Sequence, residues 1–236
     1  FSLGLLALCV ELAAATPDQW PRFRGADGTG ITGGEKLLPS WTTEDWTWQV
    51  DLPGIGHSSP IVWNGKISLT SADEENKVRH LFCHDLYTGK LAWTREFPGE
   101  IERHHKQNSS ASSTVTADSR SIYWLWGTSQ NVRLEALTHD GEMRWSIDLG
   151  PYIGHHGFGG SPVVWKDTVI VPLEQDTQGT VLGIDASTGK ERWRLARDGA
   201  EKAAYSTPLV LTHTGSDAQV ICTSKAHGMY AINPKN

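Results

Sequence analysis

The stretch Asp85-Leu-Tyr-Thr-Gly-Lys-Leu-Ala-Trp93 returns, little changed, as Asp185-Ala-Ser-Thr-Gly-Lys-Glu-Arg-Trp193. Its final tryptophan belongs to a series with intervals of 45, 52 and 48 residues: Trp48, Trp93, Trp145 and Trp193. A period of about 40–50 residues built from short strands and turns is typical of β-propellers, in which each period forms one blade. The repeat therefore predicts an all-β propeller.

The segments between the tryptophans have the pattern of β-hairpins. Asn64-Gly65, for example, separates two short β-branched runs, and this dipeptide favours a two-residue hairpin turn. Each period also has a small polar residue where its first strand begins: Ser59-Pro60, Ser113-Thr114, Ser161-Pro162 and Thr207-Pro208. We expect four-stranded antiparallel blades at 57–98, 108–150, 160–198 and 205–236, the last without its outer strand, after an N-terminal arm at 16–47. Residues 48–236 would then be four blades of a ring of seven or eight, and the chain a fragment of a longer product.

The repeated tryptophans and glycines have a predicted structural role. A glycine precedes three of the tryptophans by four residues, at Gly89, Gly141 and Gly189. Glycine suits a left-handed turn position before the outer strand. A large ring on each outermost strand is expected to lie against the next blade and close the gap between the two. We assign this docking role to Trp48, Trp93, Trp145 and Trp193 with the three glycines.

The pattern Asp-x-x-Thr-Gly-Lys-x-x-Trp resembles the tryptophan-docking repeat of the pyrroloquinoline-quinone (PQQ)-like β-propeller superfamily. That superfamily includes quinoprotein alcohol dehydrogenases and the propeller lipoprotein of the outer-membrane assembly machinery. Three other stretches resemble exported PQQ-like propeller proteins of planctomycete-type bacteria: Trp20-Pro-Arg-Phe-Arg-Gly-Ala-Asp-Gly-Thr-Gly30, His57-Ser-Ser-Pro-Ile-Val-Trp63 and His156-Gly-Phe-Gly-Gly-Ser-Pro162. The resemblance extends from Trp20 to Asn236 and is specific for fold rather than activity.

Charge and the N-terminal segment limit the functional class. The formal net charge is −6 and the basic residues are scattered, so the chain has no electrostatic footprint for nucleic acid.

Residues 2–10 form an apolar run that Ala13-Ala-Ala15 follows as a small-residue cleavage site. We interpret residues 1–15 as part of a signal peptide, too short to span a bilayer stably, with a lipoprotein anchor and a retained N-terminal anchor as the alternatives. The protein is then expected in the periplasm or cell envelope, with no transmembrane segment beyond that signal.

Histidines are the clearest candidates for a binding site. His57, His104, His105, His155 and His156 all lie in loops that lead into the first strand of a blade. In a propeller such loops gather on one face, around the mouth of the central channel. We expect His57, His105 and His156 to share that face, with Asn108 and Asp176 nearby, as a site for a small polar ligand. A metal centre and histidines that merely pack the loops are the alternatives, and the identity of any metal stays open.

Other candidate residues have simpler interpretations. The carboxylates of Asp73-Glu-Glu75 and Glu174-Gln-Asp176 are expected in solvated loops two blades apart, too distant to form an acid–base pair. Gly25-Ala-Asp-Gly-Thr-Gly30 matches no phosphate loop and is expected to be an extended arm leading into the propeller. Cys83 and Cys222 are expected to be buried thiols, too far apart for a disulfide.

Two functions are consistent with these sequence features. The first is an exported, non-catalytic binding or assembly module that presents its loop face to an unknown protein or a small polar ligand. The alternative is a PQQ-dependent quinoprotein dehydrogenase, for which the resemblance implies PQQ and calcium in the channel, an adjacent cysteine pair and Glu, Asn and Asp ligands. This chain has no adjacent cysteines, and no residue matches the calcium set, so those groups would lie in the other blades. The sequence leaves open whether the protein is an enzyme.

Overall fold

The computed structural model describes residues 19–32, 39–101, 105–176, 178–198, 202–212 and 217–235. Within these residues the chain forms three four-stranded sheets and one three-stranded sheet, all antiparallel and all with strands in sequence order. This is the predicted all-β blade architecture, which the structure confirms. The signal-peptide prediction at 1–15 and the candidate His104 fall outside the described residues.

The four blades follow one another along the chain. Blade 1 contains β1 (Ile61–Trp63), β2 (Lys66–Asp73), β3 (Val78–Asp85) and β4 (Leu91–Pro98). Blade 2 contains β5 (Thr116–Ala117), β6 (Ile122–Gly127), β7 (Val132–Leu137) and β8 (Met143–Asp148). Blade 3 contains β9 (Val163–Trp165), β10 (Thr168–Glu174), β11 (Gly179–Asp185) and β12 (Glu191–Arg197). Blade 4 contains β13 (Leu209–Leu211), β14 (Gln219–Ser224) and β15 (Gly228–Ile232), and a short 3-10 turn at Thr43–Asp45 precedes the first blade.

Hairpin turns follow the local sequence. Asn64 and Gly65 both have positive φ, 48° and 74°, as a two-residue turn with right-handed strand twist requires. Before the outer strand of blade 3, the Asp185 carboxylate accepts hydrogen bonds from the Thr188 N–H and hydroxyl, both at 2.9 Å. The chain then turns at Gly189, whose φ is +73°. Asp85, Thr88 and Gly89 repeat this arrangement in blade 1, so the Asp-x-x-Thr-Gly phrase encodes the turn itself.

The hydrophobic core lies between blades rather than within any one of them. One cluster joins blades 1 and 2 through Ile61, Leu81 and Trp124. A second joins blades 2 and 3 through residues such as Leu134 and Leu182, and a third joins blades 3 and 4. Because each blade buries its faces against its neighbours, the array is stabilised mainly by contacts between adjacent repeats.

Candidate functional site

Each tryptophan of the repeat contacts the outer turn of the following blade. The indole N–H donates to a backbone carbonyl there at 2.9–3.1 Å, in the pairs Trp48 with Leu86, Trp93 with His139, Trp145 with Ala186, and Trp193 with Pro234. The ring lies over the turn glycine, so that a Cβ built there would come within 2.6–2.9 Å of ring carbons, at Gly89 beneath Trp48, Gly141 beneath Trp93 and Gly189 beneath Trp145. Glycine at these positions therefore provides both positive φ and room for the neighbouring ring.

The N-terminal arm crosses the innermost strands of the propeller. Trp20 and Val62 of β1 exchange two backbone hydrogen bonds of 2.9 Å. The Pro21 carbonyl accepts from the Ala117 N–H of β5 at 2.8 Å, and the Arg22 guanidinium donates to the Pro208 carbonyl before β13 at 3.4 Å. The arm therefore touches blades 1, 2 and 4, and it forms part of the inner surface instead of only leading towards it.

A cavity of about 480 Å³ lies between this arm and the loops that lead into the innermost strands. We call these loops the inner loops: residues 55–60, 105–115, 150–162 and 202–208. The wall of this first cavity is rich in hydrogen-bond donors and includes apolar groups: Arg22, Phe23, Arg24, Gly28, His57, Ser112, Thr114, Gly159, Ser161, Tyr205, Ser206, Thr207, Pro208 and Leu209. No acidic residue is among these described lining residues.

Two further cavities adjoin the first, and one side chain lines all three. The second, about 400 Å³, is lined by His105, Gln107, Asn108, Ser112, His156, Gly159 and Tyr205. The third, about 480 Å³, is lined by His155, His156, Asp176, Lys202, Ala203, Tyr205 and Lys225. Tyr205 is common to all three cavities, and we call the three together the groove system. Burial raises the pKa of the Tyr205 phenol above its ordinary value of 10.0, so the group is a neutral hydrogen-bonding partner at neutral pH.

The residues predicted for the site all line this groove system, although they occupy different parts of it. His57 lies in the first cavity and His105 with Asn108 in the second, whereas His156 lines the second and third and Asp176 the third. The rings of His105 and His156 stand edge to face with centroids 4.9 Å apart. Among the described residues, no group of three His, Cys, Asp or Glu side chains could hold a metal ion. The metal centre considered for His57, His105 and His156 therefore has no support in this part of the chain.

Asn108 and Asp176 hold the inner loops in place. The Asn108 amide donates to the His156 carbonyl at 2.7 Å, which ties the blade 2 loop to the blade 3 loop. The Asp176 carboxylate accepts from the backbone N–H groups of His155 at 3.1 Å and Ala203 at 2.7 Å. These bonds connect three consecutive loops, so the shape of the groove depends on both residues.

One sequence-based expectation is wrong. Glu174 is not in a solvated loop: it is 4% exposed and forms a buried ion pair with Arg197, and its carboxylate also accepts from the Tyr230 hydroxyl at 2.8 Å. The Arg197 guanidinium lies 3.7 Å from the centroid of the Tyr230 ring, and burial raises the pKa of that phenol. Glu74 and Glu75, in contrast, are exposed as expected. Glu174 is buried, unlike Glu74 and Glu75, because Arg197 and Tyr230 from other strands cover the end of β10.

The two described cysteines are buried free thiols, as expected. Cys83 lies on β3 of blade 1 and Cys222 on β14 of blade 4. Burial raises the pKa of both thiols, that of Cys222 to about 11, so neither is a reactive thiolate at neutral pH.

The successive antiparallel sheets define the class as a β-propeller repeat protein. Residues 128–236 match the sequence profile of the family described as outer membrane protein assembly factor BamB. No curated protein sequence matches the chain. These findings confirm the resemblance to PQQ-like propellers and leave the narrower planctomycete resemblance as a prediction.

Solved structures show the same fold at low sequence identity. The chain is similar to the quinohemoprotein alcohol dehydrogenase of Comamonas testosteroni, with TM-score 0.55 and 20% identity over 78% of this chain and 28% of that one. It is similar to quinohemoprotein alcohol dehydrogenase ADHIIG of Pseudomonas putida HK5, with TM-score 0.53 and 22% identity over 76% of this chain and 27% of that one. It is also similar to BamB of Moraxella catarrhalis, with TM-score 0.53 and 17% identity over 79% of this chain and 51% of that one. The chain thus spans about a quarter to a half of the length of these proteins.

The described cysteines and the first cavity do not fit the PQQ and calcium set that the resemblance implies for the dehydrogenases. Cys83 and Cys222 lie in different blades, so they cannot provide an adjacent pair. The first cavity has no carboxylate among its described lining residues to bind calcium, and hard cations such as calcium need oxygen ligands.

No helix among the described residues is long and apolar enough to cross a membrane.

Proposed function

We propose that this chain forms the ligand-binding part of an exported, non-catalytic propeller, and that the groove around Tyr205 is its binding site. The observation that carries the proposal is the meeting of three cavities at this one ring. Volumes of about 400–480 Å³ fall in the range of about 300–1,000 Å³ that small-molecule sites occupy.

The composition of the groove supports a small polar ligand. Its first two cavities combine aromatic rings with hydroxyl, imidazole and amide groups, which give orientation and specificity to a ligand that packs on the rings. Tyr205 is 36% exposed, so its ring is accessible to a ligand from the groove. Export is part of the proposal and rests on the apolar run at residues 2–10.

The proposal is tested by ligand titration with a matched pair of variants. Calorimetric titration of the full chain with glucose, glucuronate, benzamide and benzoate should give saturable binding to at least one compound. Tyr205→Ala should weaken that binding at least about tenfold, the loss of roughly 1.4 kcal/mol that one aromatic contact provides. Tyr87→Ala is the control, because Tyr87 is 65% exposed on the outer turn of blade 1.

The outcomes separate the two candidate functions. Binding that Tyr205→Ala leaves unchanged, or no binding of any compound, would exclude this groove as the site. Saturable binding of PQQ in the presence of calcium, followed by the quinone absorbance, would instead favour the dehydrogenase alternative. Neither the titration nor its controls requires a catalytic assay.

A further inference from the structure

The first cavity contains a buried positive charge that has no ion-pair partner among the described residues. Arg22 is 6% exposed, and its guanidinium donates to the backbone carbonyls of Ala26 at 3.3 Å and Pro208 at 3.4 Å. It forms no salt bridge with any described residue, unlike the equally buried Arg197 with Glu174. Burial lowers the pKa of the Arg22 guanidinium, opposed by the negative charge of Asp27. A buried charge that has only long hydrogen bonds to carbonyls is costly, and a bound anion would offset that cost.

Two buried hydroxyls add donors to the same wall. The Thr114 hydroxyl accepts the Ser59 N–H at 2.9 Å, and the Ser161 hydroxyl accepts the Thr114 N–H at 3.0 Å. A hydroxyl that accepts from a backbone amide still has its own hydrogen to donate. Within the described part of the chain, neither hydrogen has an acceptor, and both residues line the cavity.

The arm places a second guanidinium at the mouth of this cavity. Arg24 has φ of +63° and is followed by Gly25 at +80°, so the arm reverses direction here. Hydrogen bonds from the Gly25 N–H to the Arg22 carbonyl at 3.0 Å and from the Gly30 N–H to the Arg24 carbonyl at 2.9 Å close the turn. Both arginines consequently line the cavity from one side, while Leu209 and Tyr205 line it from the blades.

We infer that the first cavity binds a small organic anion, with its carboxylate on Arg22 and the hydroxyls of Thr114 and Ser161. This rests on the proposed function and names the chemical class of its ligand. The cavity offers many donors and, among its described lining residues, no carboxylate, in a chain whose net charge is −6. The cavity wall therefore carries the positive charges of Arg22 and Arg24, while the carboxylate of Asp27, which interacts with Arg22, is exposed on the arm. Phe23, Leu209 and Tyr205 give the organic part of the ligand an apolar surface.

Two pairs of related neutral and anionic compounds test the charge preference directly. Calorimetric titration of the full chain should show glucuronate binding at least about tenfold more tightly than glucose. Benzoate should bind more tightly than benzamide by a similar factor. The reason is that hydrogen bonds to a charged acceptor are about twice as strong as those between neutral groups. Added sodium chloride should weaken binding of the two anions and leave that of the neutral compounds unchanged.

Variants of Arg22 locate the anion. Arg22→Met should remove the preference for the anion in each pair, whereas Arg22→Lys should retain part of it, because an ammonium keeps the charge without the planar fork. Arg144→Met is the matched control, since it removes one positive charge from an exposed position on β8. Thermal midpoints of the free variants, measured beside the titrations, show whether each variant is folded.

The possible results distinguish this inference from the proposed function. If glucose and benzamide bind as tightly as their anionic counterparts, and Tyr205→Ala weakens them, the inference is wrong and the binding groove stands. An anion preference that Arg22→Met leaves intact also overturns the inference. If no compound of either charge binds, both proposals fail together.

Discussion

The indole of Trp145 covers Gly189 so closely that a Cβ on the glycine would lie 2.9 Å from a ring carbon. The same ring donates its N–H to Ala186 of the same turn at 3.1 Å. The Trp145 side chain thus makes two contacts with the neighbouring blade. It donates a hydrogen bond to a turn carbonyl, and it packs on a position where only glycine leaves room for the ring. This contact links the Thr-Gly phrase of one blade to the tryptophan of the blade before it.

Gly189→Ala should be clearly more destabilising than Gly150→Ala. Both glycines have positive φ, +73° and +90°, so each alanine carries a backbone cost of roughly 1–2 kcal/mol. Only the alanine at 189 meets Trp145, whereas nothing lies within 4 Å of a Cβ at 150. Urea unfolding should show an additional loss of about 1–3 kcal/mol for Gly189→Ala, the usual cost of overpacking. Equal losses for the two variants would contradict the docking contact.

Trp93→Phe should lower stability by about 1–2 kcal/mol, because it leaves the His139 carbonyl without the indole N–H that donates to it at 2.9 Å. Trp46→Phe is the control, since Trp46 is 52% exposed. Chemical denaturation monitored by far-UV circular dichroism compares the two variants without depending on tryptophan fluorescence. A loss no larger than that of the control would mean that the hydrogen bond contributes nothing.

Removing Glu174 alone should be strongly destabilising. Glu174→Leu leaves the buried Arg197 without its carboxylate, a change that typically costs about 3–5 kcal/mol. The double variant Glu174→Leu/Arg197→Met should recover most of that loss, because no unpaired charge stays behind. Denaturant unfolding of both single variants and the double variant gives the coupling energy. Additive losses would show that the pair does not act as a unit.

Asp185 makes the outer turn of blade 3 sensitive to acid. Hydrogen bonds from Ser187 and Arg192 hold the pKa of this carboxyl well below its ordinary value of 3.8. A carboxyl whose folded pKa is depressed adds stability above its unfolded pKa and loses it as the pH falls towards the folded pKa. The stability difference between the wild type and Asp185→Asn should therefore be constant from pH 7 to about 5 and shrink below about pH 4. Thermal midpoints of both proteins measured from pH 7 to pH 2.5 check this prediction. A stability difference between wild type and Asp185→Asn that grows on acidification would contradict it.

Local sequence signals were sufficient for the blades. Asn64-Gly65 and the Asp185-to-Gly189 phrase encode their turns through positive φ and short side-chain hydrogen bonds, which depend on neighbouring residues alone. The period of the tryptophans then orders the turns into blades.

The burial of Glu174 and the position of Arg22 depend on partners that are distant in the sequence. Glu174 is separated from Arg197 by 23 residues and from Tyr230 by 56, and Arg22 from Pro208 by 186. No local pattern indicates such pairs, because they form only once the blades pack. The inner-loop histidines were an intermediate case: their place before each first strand predicted a common face, but the distances between them depend on loop lengths. The Trp20-to-Gly30 stretch contains two arginines, but nothing in its sequence indicates that Arg22 is buried.

The arm that crosses the inner strands has a consequence for folding cooperativity. In an array of repeats each unit contacts only its neighbours, so the ends can unfold without the middle. Contacts of Trp20 with Val62 and of Arg22 with Pro208 join the first blade to the fourth, which no nearest-neighbour contact does. Fraying of the fourth blade therefore also breaks the contact between Arg22 and Pro208, so the arm adds a connection between blades 1 and 4 to the contacts between neighbouring blades.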